Sequence, residues 1–194
     1  GYLAFQQHEK RDALYKVARF LIEHFWKEPA EIANGLGVLL LTWNQAFYRY
    51  GRFDFYRLEK CIVENYSLLD NFRQRDILSY SPTDDYHLTT LFHQFLDALQ
   101  ICEGSKLGAR SPVGVAKALH LLASAFFPMW DYEIARAYNC SYMYDPANKY
   151  ILFCRKMLQV ATELRPHTTT QEPGKSLLKL IDEYNYAKYT KKWV

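Results

Sequence analysis

Apolar side chains along this chain recur mostly at intervals of three and four, the spacing that lines one face of an α-helix. Residues 9–27 place Leu14, Val17, Ala18, Leu21, Ile22 and Phe25 on one stripe, with Arg11, Asp12, Lys16 and Glu23 mostly off it. Glu28-Pro29 ends that helix, because proline cannot continue the hydrogen-bond ladder and restrains the residue before it. Asn34-Gly35-Leu36-Gly37 reads as a turn leading into "VLLLTWNQAFYRY", which is apolar on nearly every side at first and so predicts a buried central helix closed by Gly51. Asp54 is placed to cap the next helix, in which Phe55, Leu58, Cys61 and Ile62 share a face. Residues 65–82 show no sustained period and predict an irregular segment with short helical turns. Thr83 then heads a helix carrying Leu88, Leu91, Phe92, Phe95, Leu96 and Leu99. "CEGSKLGARSP" is the clearest internal loop. Ser111-Pro112 and Asp145-Pro146 each carry a helix-start signal, and the polar "RPHTTTQEPG" precedes a last helix around 175–189.

No segment alternates with the period of two that a half-buried strand needs, and no internal repeat is present. The expectation is an all-α, compact bundle of roughly seven to nine helices. Residues 1–194 form one domain, and if two lobes exist they divide near 103–111. Hydrophobic residues at 49% and charged residues at 23% are the balance of a globular chain, which excludes disorder. Sixteen Tyr and twelve Phe give more rings than a core alone requires, so some are expected to line a surface or cleft. A net charge of +3 allows a nucleic-acid partner without requiring one. The four cysteines are widely spaced with no C-x-x-C pair, which fits neither a zinc or iron–sulfur ligand set nor a dense disulfide framework. Cys61 and Cys154, among apolar neighbours, are expected as buried thiols. No run of eighteen apolar residues appears and no signal-peptide core opens the sequence, so the expected location is cytoplasmic, with no membrane partner.

The familiar phosphate, dinucleotide, zinc-protease and serine-hydrolase motifs are absent. Asp84, Asp85, His87 and His93 lie close in sequence, but acids in a first helical turn are explained by the positive end of the helix dipole. No metal and no cofactor is expected. Chemistry concentrates instead in 104–138: a basic glycine-containing loop with Arg110, the helix start "SPVGVAKALHLL", a hydrophobic Phe126-Phe127-Pro128-Met129-Trp130 corner, and "DYEIARAY" opening a further helix.

That order resembles the core of the helix-hairpin-helix DNA glycosylase superfamily, in which a glycine hairpin precedes a helix bearing a lysine, and a loop then leads to an aspartate at the start of the next helix. The resemblance covers residues 110–138 as motif and about 30–140 as topology. Gly114 stands at the hairpin, Lys117 at the lysine, Asp131 at the aspartate and Arg136 at the following basic residue. It implies double-stranded DNA as partner, phosphate contacts from Gly114, Arg110 and Arg136, and a base pocket including Asn44, Gln45 and Trp130. It also implies Lys117 and Asp131 as the catalytic pair. An extruded base would enter an aromatic pocket, a carboxylate would stabilise developing oxocarbenium charge, and an amine would attack the anomeric carbon. The pattern differs from the family's in having one glycine in the hairpin and only fourteen positions between Lys117 and Asp131.

Plainer roles stay open for each residue. Asp131 is placed to be a helix N-cap, Lys117 a snorkelling surface charge, and His120 a surface residue beside it. Arg49, Arg52 and Arg57, interleaved with Tyr48, Tyr50, Phe53 and Phe55, suit either base stacking with phosphate contact or a core with a solvated rim. The function therefore reads as a DNA-binding protein of glycosylase-like fold with base excision through a Lys/Asp site. The alternatives are a non-catalytic helical binding or regulatory module, or an unrelated small-molecule enzyme, and oligomeric state is not encoded in any of these signals.

Overall fold

The computed structural model describes residues 7–8, 12–167 and 175–194. Nine α-helices among the described residues form an all-α bundle: α1 (Asp12–His24), α2 (Pro29–Trp43), α3 (Gln45–Tyr48), α4 (Phe55–Arg73), α5 (Asp85–Ala98), α6 (Pro112–Leu122), α7 (Tyr132–Ala137), α8 (Pro146–Leu164) and α9 (Leu177–Asn185). A π-turn, Tyr186–Thr190, continues α9. The only extended pairing among the described residues is a two-residue ladder, β1 (Gly51–Arg52) against β2 (Glu103–Gly104), antiparallel with Gly51 opposite Gly104. The polar linker 168–174 lies outside the described residues.

Cap chemistry read from the sequence operates at the starts of α4 and α6. The Asp54 carboxylate accepts from the N–H groups of Tyr56 and Arg57, and the Ser111 hydroxyl accepts from Gly114 N–H with Pro112 at the first helical position. Ser81 and Asp84 form a capping box that takes the place of the expected Thr83 cap, and α5 starts at Asp85.

Two segments depart from their periodicity. Asn34–Gly37, expected as a turn, lies inside α2. Its glycines serve close packing: a Cβ on Gly35 would stand 2.9 Å from Ile22 Cγ1, and one on Gly37 would stand 2.6 Å from the Phe55 ring. Residues 65–73, expected to be irregular, complete α4. Asn65 occupies a core position of that helix, its amide satisfied by the Cys61 carbonyl at 2.9 Å, and this one polar residue interrupts the apolar stripe.

The bundle is organised around α6, which packs against α1, α2 and α5 and is buried at eight of its positions. The corner that follows is a plug. Phe126 and Phe127 pack on Phe72 of α4, while Trp130 packs among Phe92 of α5 and Tyr150 and Phe153 of α8. Trp130 Nε1–H donates to Pro112 O at 3.2 Å, tying the corner back to the start of α6. Three of the cysteines, Cys61, Cys140 and Cys154, are buried free thiols. No helix of the described residues is long and apolar enough to cross a membrane.

His120, expected as readily on the surface as not, is fully buried on α6. Its Nδ1 is 2.8 Å from Phe127 O, which can only accept, so Nδ1 carries the proton and Nε2 accepts from the Tyr15 hydroxyl at 3.0 Å. Burial is the largest cause that holds this imidazole neutral, its pKa lowered from 6.5 to about 3, with the charges of Lys179 and Arg19 adding to it. Between those two values the unfolded chain binds a proton that the folded chain does not, so stability falls as pH falls below 6.5. Comparison of urea midpoints for wild type and His120→Asn across that range is expected to show an extra wild-type slope approaching about 1.4 kcal/mol per pH unit.

Candidate functional site

A cavity of about 330 Å³ opens where the ends of four segments meet. The end of α2 supplies Trp43 and Asn44, α6 supplies Val113 and Lys117, the corner and α7 supply Met129, Trp130, Asp131 and Ile134, and the C-terminal helix supplies Lys179, Asp182 and Tyr186. The volume lies at the lower end of ligand-pocket sizes, enough for one planar ring system rather than an extended cofactor.

Lys117 follows Val113 by four positions and so shares its face of α6. Its Nζ donates to Trp43 O at 2.7 Å. That carbonyl belongs to the last turn of α2, where backbone acceptors lack helical partners and the dipole is negative, so an ammonium is doubly favoured there. Asn44, the next residue, donates from Nδ2 to Ser111 Oγ at 2.9 Å, and that hydroxyl caps α6. The wall that carries Lys117 is therefore braced at both ends by α2.

Asp131 is the N-cap of α7: one oxygen accepts from Ile134 N–H at 2.8 Å. The other accepts from the Thr190 hydroxyl at 2.5 Å. Thr190 closes the π-turn, and that widened turn also sets Tyr186 on the cavity wall. Both oxygens of Asp131 thus hold structure while its carboxylate lines the cavity.

Lys179 is buried on α9, its ammonium 4.6 Å from the Tyr15 ring centroid and 5.1 Å from that of Trp43. Those two rings stack at 5.3 Å, so their faces offer the cation a partial substitute for water. Lys179 Nζ also donates to Asp182 Oδ2 at 3.2 Å and lies 3.7 Å from Glu183 Oε1, which Lys175 Nζ approaches to 2.8 Å. Burial is the largest cause that raises the pKa of Asp182, and the Asp131 charge adds to it. Lys179 and Lys117 act in the opposite direction. Glu183 is likewise raised, by burial first.

Of the residues singled out from the sequence, the structure brings Lys117, Asp131, Asn44 and Trp130 to one cavity. It places the others elsewhere. Gln45 is exposed at the start of α3, outside the cavity lining. Gly114 is buried and its N–H is taken by Ser111 Oγ. Arg110 pairs with Asp97 at 2.7 Å, and Arg136 lies 3.7 Å from Glu133 on an exposed face. Asp84 is bound by Arg75, and Asp85 by Arg155 and Tyr80. No group of three or more His, Cys, Asp or Glu among the described residues could hold a metal ion.

Sequence reasoning missed Lys179, Asp182 and Tyr186. Their spacing of three and four is the available signal: it puts all three on one face of the last helix.

Compared with family models, curated proteins and solved structures, the chain matches none.

The double use of Asp131 has a measurable consequence. Asp131→Ala is expected to lower stability by about 1–2 kcal/mol through loss of the cap, and Asp131→Asn, which still caps, by a fraction of that. A double-mutant cycle of Asp131→Ala with Thr190→Val in urea unfolding should reveal a coupling of at least about 0.5 kcal/mol.

Proposed function

We propose that this cavity receives a base extruded from duplex DNA and that Lys117 and Asp131 act on its glycosidic bond. The observation that carries the reading is that Lys117 and Asp131, fourteen positions apart, line the same small cavity together with Trp130 and Asn44. The aromatic walls, Trp43, Trp130 and Tyr186, supply surfaces on which a planar heterocycle stacks in place of its neighbours in the duplex. The Asn44 amide offers both a donor and an acceptor to the edge of a base.

Lys117 is the nucleophile of this reading. Its ammonium donates to the Trp43 carbonyl, and a neutral amine at the same position attacks the anomeric carbon to give a Schiff base after ring opening. Asp131 is the fixed negative charge. Held by a backbone N–H and a hydroxyl, it needs no rearrangement to face the positive charge that develops on the sugar. The phosphate contacts of this reading do not come from Gly114 N–H, which is already taken, and fall instead to side chains around the mouth.

A non-catalytic binding module is the second reading. The commitment of both Asp131 oxygens to structure favours it, since a cap and a clamp account for that residue without chemistry.

Borohydride trapping on duplexes bearing abasic sites and damaged bases separates the two. The expected outcome is a covalent adduct with wild type that is lost in Lys117→Ala, while circular dichroism shows both folded. Salt-sensitive binding without an adduct would leave a DNA-binding module or a glycosylase that uses water and Asp131, and absence of both would remove DNA as the partner.

A further inference from the structure

Two carboxylates line the cavity, and they are held differently. Asp131 has one oxygen on a backbone N–H and the other on the Thr190 hydroxyl. Asp182 has Oδ2 on Lys179 Nζ at 3.2 Å, and among the described residues Oδ1 has no hydrogen-bond donor. The Asp182 side chain is 13% exposed, against 1% for Lys179, so the pair sits at the cavity wall with the acid toward the opening and the amine behind it.

We infer that Asp182 is the group that moves the proton in this site, that Lys179 positions it, and that Asp131 remains a fixed charge throughout. The inference rests on the base-excision reading and gives it the acid–base partner that Lys117 needs. A lysine at neutral pH is an ammonium and carries no lone pair, so a nucleophilic Lys117 requires a nearby acceptor for its proton. Asp131 is poorly suited, because taking a proton would disturb the bonds that start α7 and close the π-turn. Asp182 can take one on Oδ1 while Oδ2 still accepts from Lys179 Nζ.

Surroundings agree with that division. Burial is the largest cause that raises the pKa of Asp182, which makes its carboxylate a better proton acceptor than a solvated one. The charges that face it are Lys179 and Glu183 from α9, Lys117 from α6 and Asp131 from the corner.

The step balances within these residues. Asp182 carboxylate accepts a proton from the Lys117 ammonium and leaves a neutral amine. The amine lone pair forms a bond to the anomeric carbon as the glycosidic bond breaks, its electron pair leaving with the base nitrogen. Asp182 returns the proton to that nitrogen, and the free base and the lysine–sugar adduct result, with Asp182 again a carboxylate.

The test is the single-turnover rate of borohydride-trapped adduct formation against pH, on an abasic-site duplex and a damaged-base duplex, for wild type, Asp182→Asn, Asp182→Glu and Lys117→Ala. For wild type, base excision should fall on the acid side as Asp182 becomes protonated. Asp182→Asn should slow excision at least about a hundredfold, the contribution expected of a positioned acid–base group, and remove that acid limb. Asp182→Glu should retain the limb at a shifted position, a change that a merely structural role would not produce. It carries the same readout if the amide variant does not fold. Wild-type rates and an unchanged limb in the Asp182 variants would overturn the inference and leave the excision reading standing. Absence of any wild-type adduct on either duplex would overturn both.

Discussion

The ammonium of Lys117 has to end somewhere, and the architecture around the cavity follows from where it does. α6 is buried at eight of its positions, and Lys117 lies half-buried on the face that opens to the cavity. An unpaired charge in such surroundings costs several kcal/mol. One partner of the ammonium is the carbonyl of Trp43, at the end of a helix whose last acceptors have no intrahelical donors. Because α2 stops there, Asn44 leaves the helical path and reaches the Ser111 cap of the same helix that carries the lysine. The end of one helix, the start of another and the floor of the cavity are thus one hydrogen-bonded unit.

Opposite that unit the charges alternate in the same way. Lys179 is surrounded by two aromatic faces and two carboxylates, and Glu183 is flanked by two amines. Buried charge of this kind is seldom a route to stability, since hydrophobic replacements of the same shape usually serve as well or better. Its placement beside a cavity sets charges of both signs at fixed positions along one wall. The two aspartates divide along that line, one bound into the fold on both oxygens and one bound on a single oxygen.

The helices were legible wherever an apolar stripe ran unbroken and a capping residue stood in front of it, as at Asp54 and Ser111. Legibility failed where a residue type was used against its usual habit. Gly35 and Gly37 normally mark a turn, yet here they admit Ile22 and Phe55 to the surface of a continuous helix. Asn65 in a core position hid the second half of α4. The site divides similarly. Lys117, Asp131, Trp130 and Asn44 could be named because a local order of loop, lysine, corner and aspartate is visible in the chain. The burial of Lys179 and His120 could not be read, because both pack against Tyr15, which lies 105 positions from His120 and even farther from Lys179. A single chain carries no local mark of such a long-range partner.

The chain has four tryptophans, and two of them, Trp43 and Trp130, line the cavity. Two of its four indoles therefore lie within contact distance of anything that enters. The cavity has a built-in optical reporter, and occupancy can be followed on the unlabelled protein whatever the occupant proves to be.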